Sequence, residues 1–471
     1  MTDHSAPAPT HATTVRRRIL HGLGSQGYVR AVQILIRLAE VPLLLHFWGV
    51  QIYGEWLMLA AIPAYLAIGD GGFAGAASRD MSMRSGAGDR AGALAVFQST
   101  AWLLCLVSLA VFATAFAVAR FAPLSDWLGF EQITAGTLSF VLLVLVSHVL
   151  VGFQGGLING GFWCSGRYPL GMALAATTQL IEFAAMVAAV ALGGGPVQAA
   201  LAYLAGRVFG TVLTRLALRW ATPWLRYGLA NASLAEIRRL AAPAFASLAF
   251  PLGNALNIQG MRLVVGIVLG PPAVAIFAPL RTLTRIALQP AEVVKALATP
   301  ELARAFGQGD ERSFRAIFKN AWWTSIGCTV GTSILLLVGG RTIIQLWGAG
   351  ELAIDWPLYL ALLVASCLGA VWSAGVAAFT ATNRHTKIAI PFLAVQALTV
   401  ASGATIGVPL AGLLGAGVVL AASDLILTVY VSVALRRSGL DLAGKSAFLA
   451  SNSMRACRHD PKEIDTINRK L

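Results

Sequence analysis

Five polar residues on the first hydrophobic segment share one side of a helix. At 100° per residue, Gln26, Arg30, Gln33, Arg37 and Glu40 fall within about 80° of one another, and the other faces are largely apolar. On the eighth segment, Arg281, Arg285 and Glu292 fall within about 40° by the same arithmetic, with Pro290 interrupting the helix nearby. A charge at mid-bilayer costs at least about 2.5 kcal/mol on insertion scales, so neither stripe is expected to face lipid. Each lines a polar cavity or pairs internally, as Arg37 would with Glu40. Both stripes carry a basic excess, which an ion pair does not require. Guanidinium is always charged, and its planar fork matches the oxygens of a phosphate or pyrophosphate. The chemistry on offer is recognition of an anionic group, with no catalytic residue implied. Arg262 either lines the same cavity or snorkels outward. Asn254 and Asn257, after Pro251, either line a polar kink or hydrogen-bond to neighbouring helices.

Other intramembrane polar groups read differently. Glu182 and Arg207 sit at similar depths on consecutive antiparallel segments, which favours a structural ion pair over a contact with cargo. Asp70, within GDGGF, ties down a glycine-rich turn. Trp48, Tyr53 and Trp56 flank a turn and read as interfacial anchors, with sugar stacking as the alternative. The five cysteines are scattered without paired spacing, so they imply no metal site and no disulfide framework. No P-loop motif occurs, and no cofactor is implied.

The elements that must position these side chains are membrane helices. Of 471 residues, 57% are hydrophobic and 12% charged, roughly half the charged share of an ordinary soluble domain of about 25%. Apolar stretches of bilayer length recur twelve times, near 20–47, 53–78, 93–119, 134–162, 168–193 and 196–218, then near 239–269, 272–298, 316–340, 356–381, 387–408 and 411–435. The first contains arginines and lacks a cleavage site, so it is a retained helix and not a signal peptide. With the N-terminus inside, one set of loops collects Arg79, Arg84, Arg90, Arg167, Arg219, Arg226 and Arg384 among others, while the opposite set carries only Arg120 and Arg341. That bias places both termini in the cytoplasm of a bacterial inner membrane protein. It also accounts for the net charge of +14 by basic residues beside anionic head groups, which makes nucleic acid an unneeded partner.

A duplication organises the twelve segments. Ser85–Leu103 and Phe306–Thr324 align without gaps, so that Gly86, Gly88, Asp89, Ala95, Phe97 and Trp102 recur 221 residues on as Gly307, Gly309, Asp310, Ala316, Phe318 and Trp323. Each copy lies between the second and third span of a half, which implies two parallel six-helix repeats. The expected organisation is a cytoplasmic tail (1–19), a six-helix lobe (20–220), a linker (221–238), a second six-helix lobe (239–437) and a cytoplasmic tail (438–471). The two pseudo-symmetric lobes are expected to surround a central cavity.

The run IYGEWLML at Ile52–Leu59, AIGDGGF at Ala67–Phe73, the Gly-Asp turn before the third span, and GIVLGPPAVAIFAP at Gly266–Pro279 together resemble the polysaccharide flippases. That family belongs with multidrug exporters and lipid II flippases. The resemblance implies two six-helix lobes forming a V and a cargo of undecaprenyl-pyrophosphate-linked oligosaccharide. The cargo moves from the inner to the outer leaflet by alternating access, for O-antigen, capsule or exopolysaccharide. It implies no enzymatic activity, with the lipid-linked oligosaccharide, the bilayer and a polysaccharide polymerase or glycosyltransferases as partners. An organic-cation exporter of the same fold would call for an acidic cavity, and a membrane polymerase or ligase for a large outer loop. The stripes here are basic and the loops short.

Overall fold

The computed structural model describes residues 11–438 except 71, 247, 349–351, 353, 383 and 385, with side chains from Ser25 onward apart from those of 242, 243 and 246. The expected C-terminal tail beyond Ser438 and the first ten residues lie outside the described residues. The fold is all-α, with no strand among the described residues. Its internal contacts divide the chain into two units. The first runs to Ala255 and also takes Gly270–Ala275 and the segment beginning at Trp347. The second takes Leu256–Leu269, Ile276–Leu346 and the chain from Leu352 onward.

The first unit contains α1 (His11–Leu66), α2 (Phe73–Gly86), α3 (Arg90–Phe121), the short α4 (Leu124–Leu128) and α5 (Ala135–Cys164). It continues through α6 (Tyr168–Ala191), α7 (Pro196–Ala221), α8 (Leu234–Ala246) and α9 (Ala249–Ala255). Helix α1 is broken at Gly49, whose φ of 70° few other residues adopt, so its 42 residues from Ser25 form two crossings. The second crossing ends at Leu66. Asp70 then accepts a hydrogen bond from the Gly72 amide at 3.0 Å and fixes the turn into α2, as the GDGGF run predicts. Residues 221–238, expected as a linker, are fastened to α3: Gln98 and Trp102 donate to the Arg226 and Gly228 carbonyls, and the Ser233 amide donates to Ser99.

The second unit opens with a π-helical turn (Leu256–Gly260) and α10 (Met261–Leu269). Helix α11 (Pro271–Thr284), a 3-10 turn (Arg285–Leu288) and α12 (Gln289–Gly307) follow in one broken run. Then come α13 (Glu311–Trp347), α14 (Trp356–Ala381), α15 (Thr386–Ser402), a second π turn (Gly403–Gly407) and α16 (Val408–Arg437). Among the described residues, nine stretches are long and apolar enough to cross a bilayer. Two of them, Ser25–Leu66 and Thr386–Arg437, extend about 63 and 78 Å at helical rise and contain breaks at Gly49 and Gly412, so each crosses twice. With the charged, interrupted α11–α12 run, the described residues supply the twelve crossings expected.

The duplicated turn is reproduced bond for bond. Backbone amides of Ala87, Gly88 and Asp89 donate to the carbonyls of Met83, Ser85 and Arg84, and those of Gln308, Gly309 and Asp310 donate to Arg304, Phe306 and Ala305. Gly88 and Gly309 both have positive φ, and Asp89 and Asp310 each accept an amide of the next helix's first turn. Phe97 and Phe318 are both buried in their own units.

Candidate functional site

The second unit gathers polar side chains around Arg281. A π turn adds a residue to the helical repeat, and the one at Leu256–Gly260 turns Asn257 into the unit's interior. There Asn257 Nδ2 donates to Gln396 Oε1 of α15 at 2.6 Å, and its Oδ1 accepts from Arg281 Nη2 near the end of α11. Arg281 is 6% exposed and stands over the Phe277 ring, 5.5 Å from its centroid. Its second terminal nitrogen, Nη1, is buried and meets no hydrogen-bond acceptor. Five donors fan out from a guanidinium, and a buried one left without an acceptor is costly. The charges acting on Arg281 are those of Arg285, Arg262 and Asp424, two of like sign and one opposite.

A cavity opens between these groups, lined on its polar side by Asn257, Arg281, Thr284, Arg285, Ser366 and Asp424 and closed by leucines of three helices. It has room for about one water molecule. Asp424 of α16 accepts from Trp372 Nε1 of α14 at 2.8 Å, and Ser366 donates to the Thr284 carbonyl. Glu292 stands at the edge of the cluster, near enough for its charge to act on Arg285 but turned off the stripe that the 100° arithmetic draws. Each residue of the 3-10 turn advances about 120°, so four of them rotate everything downstream by roughly 80°. Glu292 instead pairs with Lys295 at 2.5 Å and accepts from Ser373.

Of the expected site residues, Arg281, Arg285, Arg262 and Asn257 therefore share one region. Gln26, Arg30, Gln33, Arg37, Glu40 and Asn254 belong to the first unit. On α1, Arg30 and Arg37 are exposed and Gln33 is half-buried, while Gln26 donates to the Tyr168 hydroxyl of α6 at 2.5 Å. Glu40 is half-buried and acts on Tyr203 of α7, and Asn254 is exposed. Val29 and Val32, between the polar positions, pack against Ala176 and hold α1 on α6. Tyr53 and Trp56 are buried within the first unit, so they are core residues and neither lipid anchors nor a sugar platform. Trp48 packs edge-on to Trp56 and donates to the Gly194 carbonyl.

The expected Glu182–Arg207 ion pair is present, with Nε 3.0 Å from Oε1. The close helix contact that makes it possible comes from Gly206 and Gly210 of α7. A Cβ on Gly206 would stand 2.7 Å from the Glu182 Cα, and one on Gly210 would stand 2.5 Å from Thr178. Sequence reasoning missed the third member, His148 of α5, 3.0 Å from Glu182 Oε2. It also missed Gln396, Trp372 and Asp424. For Asp424 a signal existed, since a carboxylate inside an apolar span is expensive and needs a reason to be there. Among the described residues, no group of three metal-ligating side chains converges.

No protein-family model matches the chain. No curated protein matches its sequence. Solved structures do match its backbone. An inward-facing multidrug resistance MATE transporter of the MOP superfamily superposes with a TM-score of 0.70 at 16% identity, covering 86% of this chain and 97% of the other. The chain has the fold of MOP-superfamily transporters. A lipid II flippase, MurJ, in an inward closed conformation gives 0.69 at 14% identity, covering 88% of this chain and 87% of that one. A MOP transporter from Pyrococcus furiosus, described as having a binding pocket of reverse polarity that suggests a different function, gives 0.56 at 15% identity over 90% and 96%. Apolar helices in this fold make the chain a multi-pass membrane protein.

Proposed function

We propose that this protein is a flippase that moves an undecaprenyl-pyrophosphate-linked oligosaccharide from the inner to the outer leaflet of a bacterial inner membrane by alternating access. The observation that carries the reading is Arg281: a buried guanidinium with an unsatisfied donor, beside Arg285, Arg262 and the Asp424 carboxylate. An anionic group is the ligand such a cluster favours. The one-water cavity is too small for a sugar phosphate, so the cargo's charge would meet these arginines after the helices part. The exposed Arg30 and Arg37 of α1 are assigned to the same anionic cargo.

The fold accommodates this reading, since one structural neighbour is described as a flippase of lipid II and another as carrying a pocket of reversed polarity. Pocket polarity, and not fold, is then what separates cargoes. The second reading, a multidrug or organic-cation exporter, is favoured by the MATE neighbours and by the carboxylates of the half-buried Asp424 and the buried Glu182. Deleting the gene separates the two. The flippase reading expects loss of surface polysaccharide with its lipid-linked unit accumulating on the inner leaflet, restored by the wild-type gene and not by Arg281→Ala. Unchanged polysaccharide together with heightened sensitivity to cationic drugs would overturn it in favour of the exporter.

A further inference from the structure

Four arginines at one end of the first unit are left without a carboxylate. Arg84 and Arg239 there are tied to Asp80 and Glu236, whereas Arg90, Arg215, Arg219 and Arg226 are exposed and enter no ion pair among the described residues. Two of the four are backed by rings from the segment that follows α7. Arg90 stands over Trp224, 6.0 Å from its centroid, and Arg215 stands over Tyr227 at 4.2 Å. Tyr227 is fixed from its other sides, packing edge-on against Phe97 of α3 and donating to Gln154 of α5 at 3.4 Å. A guanidinium resting on a ring keeps its N–H edge free to donate outward.

The helix faces that lead to these arginines are apolar. On α7, Val208, Val212, Arg215 and Arg219 fall within about 60° of one another, and both valines are exposed. On α3, Trp102, Leu106 and Leu109 fall within about 60° by the same arithmetic and are exposed as well. The segment after α7 joins the two helices where apolar gives way to basic, since Trp102 Nε1 donates to the Gly228 carbonyl next to the ring that backs Arg215. Trp220, directly after Arg219, is 82% exposed. We infer that α3, α7 and the segment after α7 form a binding site for one anionic glycerophospholipid, its phosphate held by Arg215 and Arg219 and its acyl chains lying along Val208, Val212 and Leu106. A soluble protein or a nucleic acid would engage the arginines and leave the apolar stripes uncovered, whereas a lipid covers both. Basic loops attract acidic lipid diffusely, but a ring-backed guanidinium stays in one place and holds one head group. The inference stands apart from the cargo and would hold for a flippase or an exporter alike.

Native mass spectrometry of the full-length protein in mild detergent tests it, by titration with phosphatidylglycerol or with phosphatidylcholine of the same acyl chains. Wild-type protein should take up one phosphatidylglycerol well before phosphatidylcholine. Arg215→Gln combined with Arg219→Gln should weaken that first step roughly ten- to thirtyfold. Arg238→Gln combined with Arg312→Gln removes the same charge elsewhere and should leave it unchanged. Equal uptake of the two lipids by wild-type protein would overturn the site. So would an unmoved first step in the Arg215 and Arg219 variant, or an equal loss in both double variants, which would make the attraction diffuse. Arg219 makes no bond among the described residues, so Arg219→Gln alone decides the matter if the double variant does not fold. A loss of roughly fivefold is expected from it, and none would overturn the site.

Discussion

The two lobes bury charge in opposite ways. Around Glu182 the first lobe balances one carboxylate with one guanidinium and an imidazole, all within 3.2 Å of a partner. Around Arg281 the second lobe gathers Arg285 and Arg262 with Asp424 and, at the edge, a Glu292 paired with Lys295, and leaves an Arg281 donor unsatisfied. A cluster balanced in charge serves the fold, as buried pairs do when both members stay. An unbalanced one is complete only with something from outside. Under the proposed function, the first cluster serves structure and the second cargo.

The largest effect expected from this contrast is on transport. Arg281→Ala should lower export roughly ten- to a hundredfold, the loss of one or two charge-assisted hydrogen bonds, while the purified protein elutes and melts as the wild type does. Arg281→Lys should recover only part of the rate, because an ammonium lacks the fork. Export measured from accumulated surface polysaccharide checks both. Equal loss of stability and transport would erase the contrast by making Arg281 a structural residue.

The mirror experiment addresses the first lobe. Glu182→Leu strands a half-buried guanidinium and should destabilise the protein by about 1–3 kcal/mol, and adding Arg207→Leu should restore most of that loss. Thermal unfolding in detergent reads both, and a double variant no better than the single would mean the pair is not the unit. Gly206→Leu sharpens the same point through packing. A side chain there meets the Glu182 backbone, so overpacking of about 1–3 kcal/mol is expected, visible as a lower melting temperature.

The smallest effect concerns pH. Asp80 of α2 accepts from both terminal nitrogens of Arg239 of α8, at 2.8 and 2.5 Å, and lies 3.1 Å from Arg84 Nε. The Arg239 hydrogen bonds hold its carboxyl below the ordinary carboxylate range, against a smaller opposing effect of burial. A depressed carboxyl stabilises the fold fully above its unfolded value near pH 3.9, and that stability is lost as pH falls through the folded value. Asp80→Asn should therefore flatten the acid limb of a melting-temperature profile below about pH 4 and lower the plateau above it. Parallel profiles for the two proteins would show that the α2–α8 fastening carries no weight.

Much of this was legible in the residues. Span lengths, the Gly-Asp repeat, the Asp70 turn and the Glu182–Arg207 pair follow from hydropathy, local turn chemistry and the price of an unpaired charge in lipid. Arg281, Arg285 and Asn257 were found because guanidiniums and amides inside spans need partners. What escaped depended on long-range packing or on irregular helix geometry. A lone His148 says nothing until α6 and α7, 34 and 59 positions away, are laid against it. Gln396 waits on a π turn that rotates Asn257 towards it, and Glu292 leaves the arginine stripe because four residues wind more tightly than the rest. Helical-wheel arithmetic holds only while the helix does.

The most direct test places purified protein in vesicles bearing an undecaprenyl-pyrophosphate-linked oligosaccharide and follows how fast the glycan becomes accessible on the opposite face. Wild-type protein should move it and Arg281→Ala should move it roughly ten- to a hundredfold more slowly, with both equally folded. Equal rates from the two proteins, or no movement by the wild type while organic cations cross, would contradict the assignment of an anionic cargo to the second lobe.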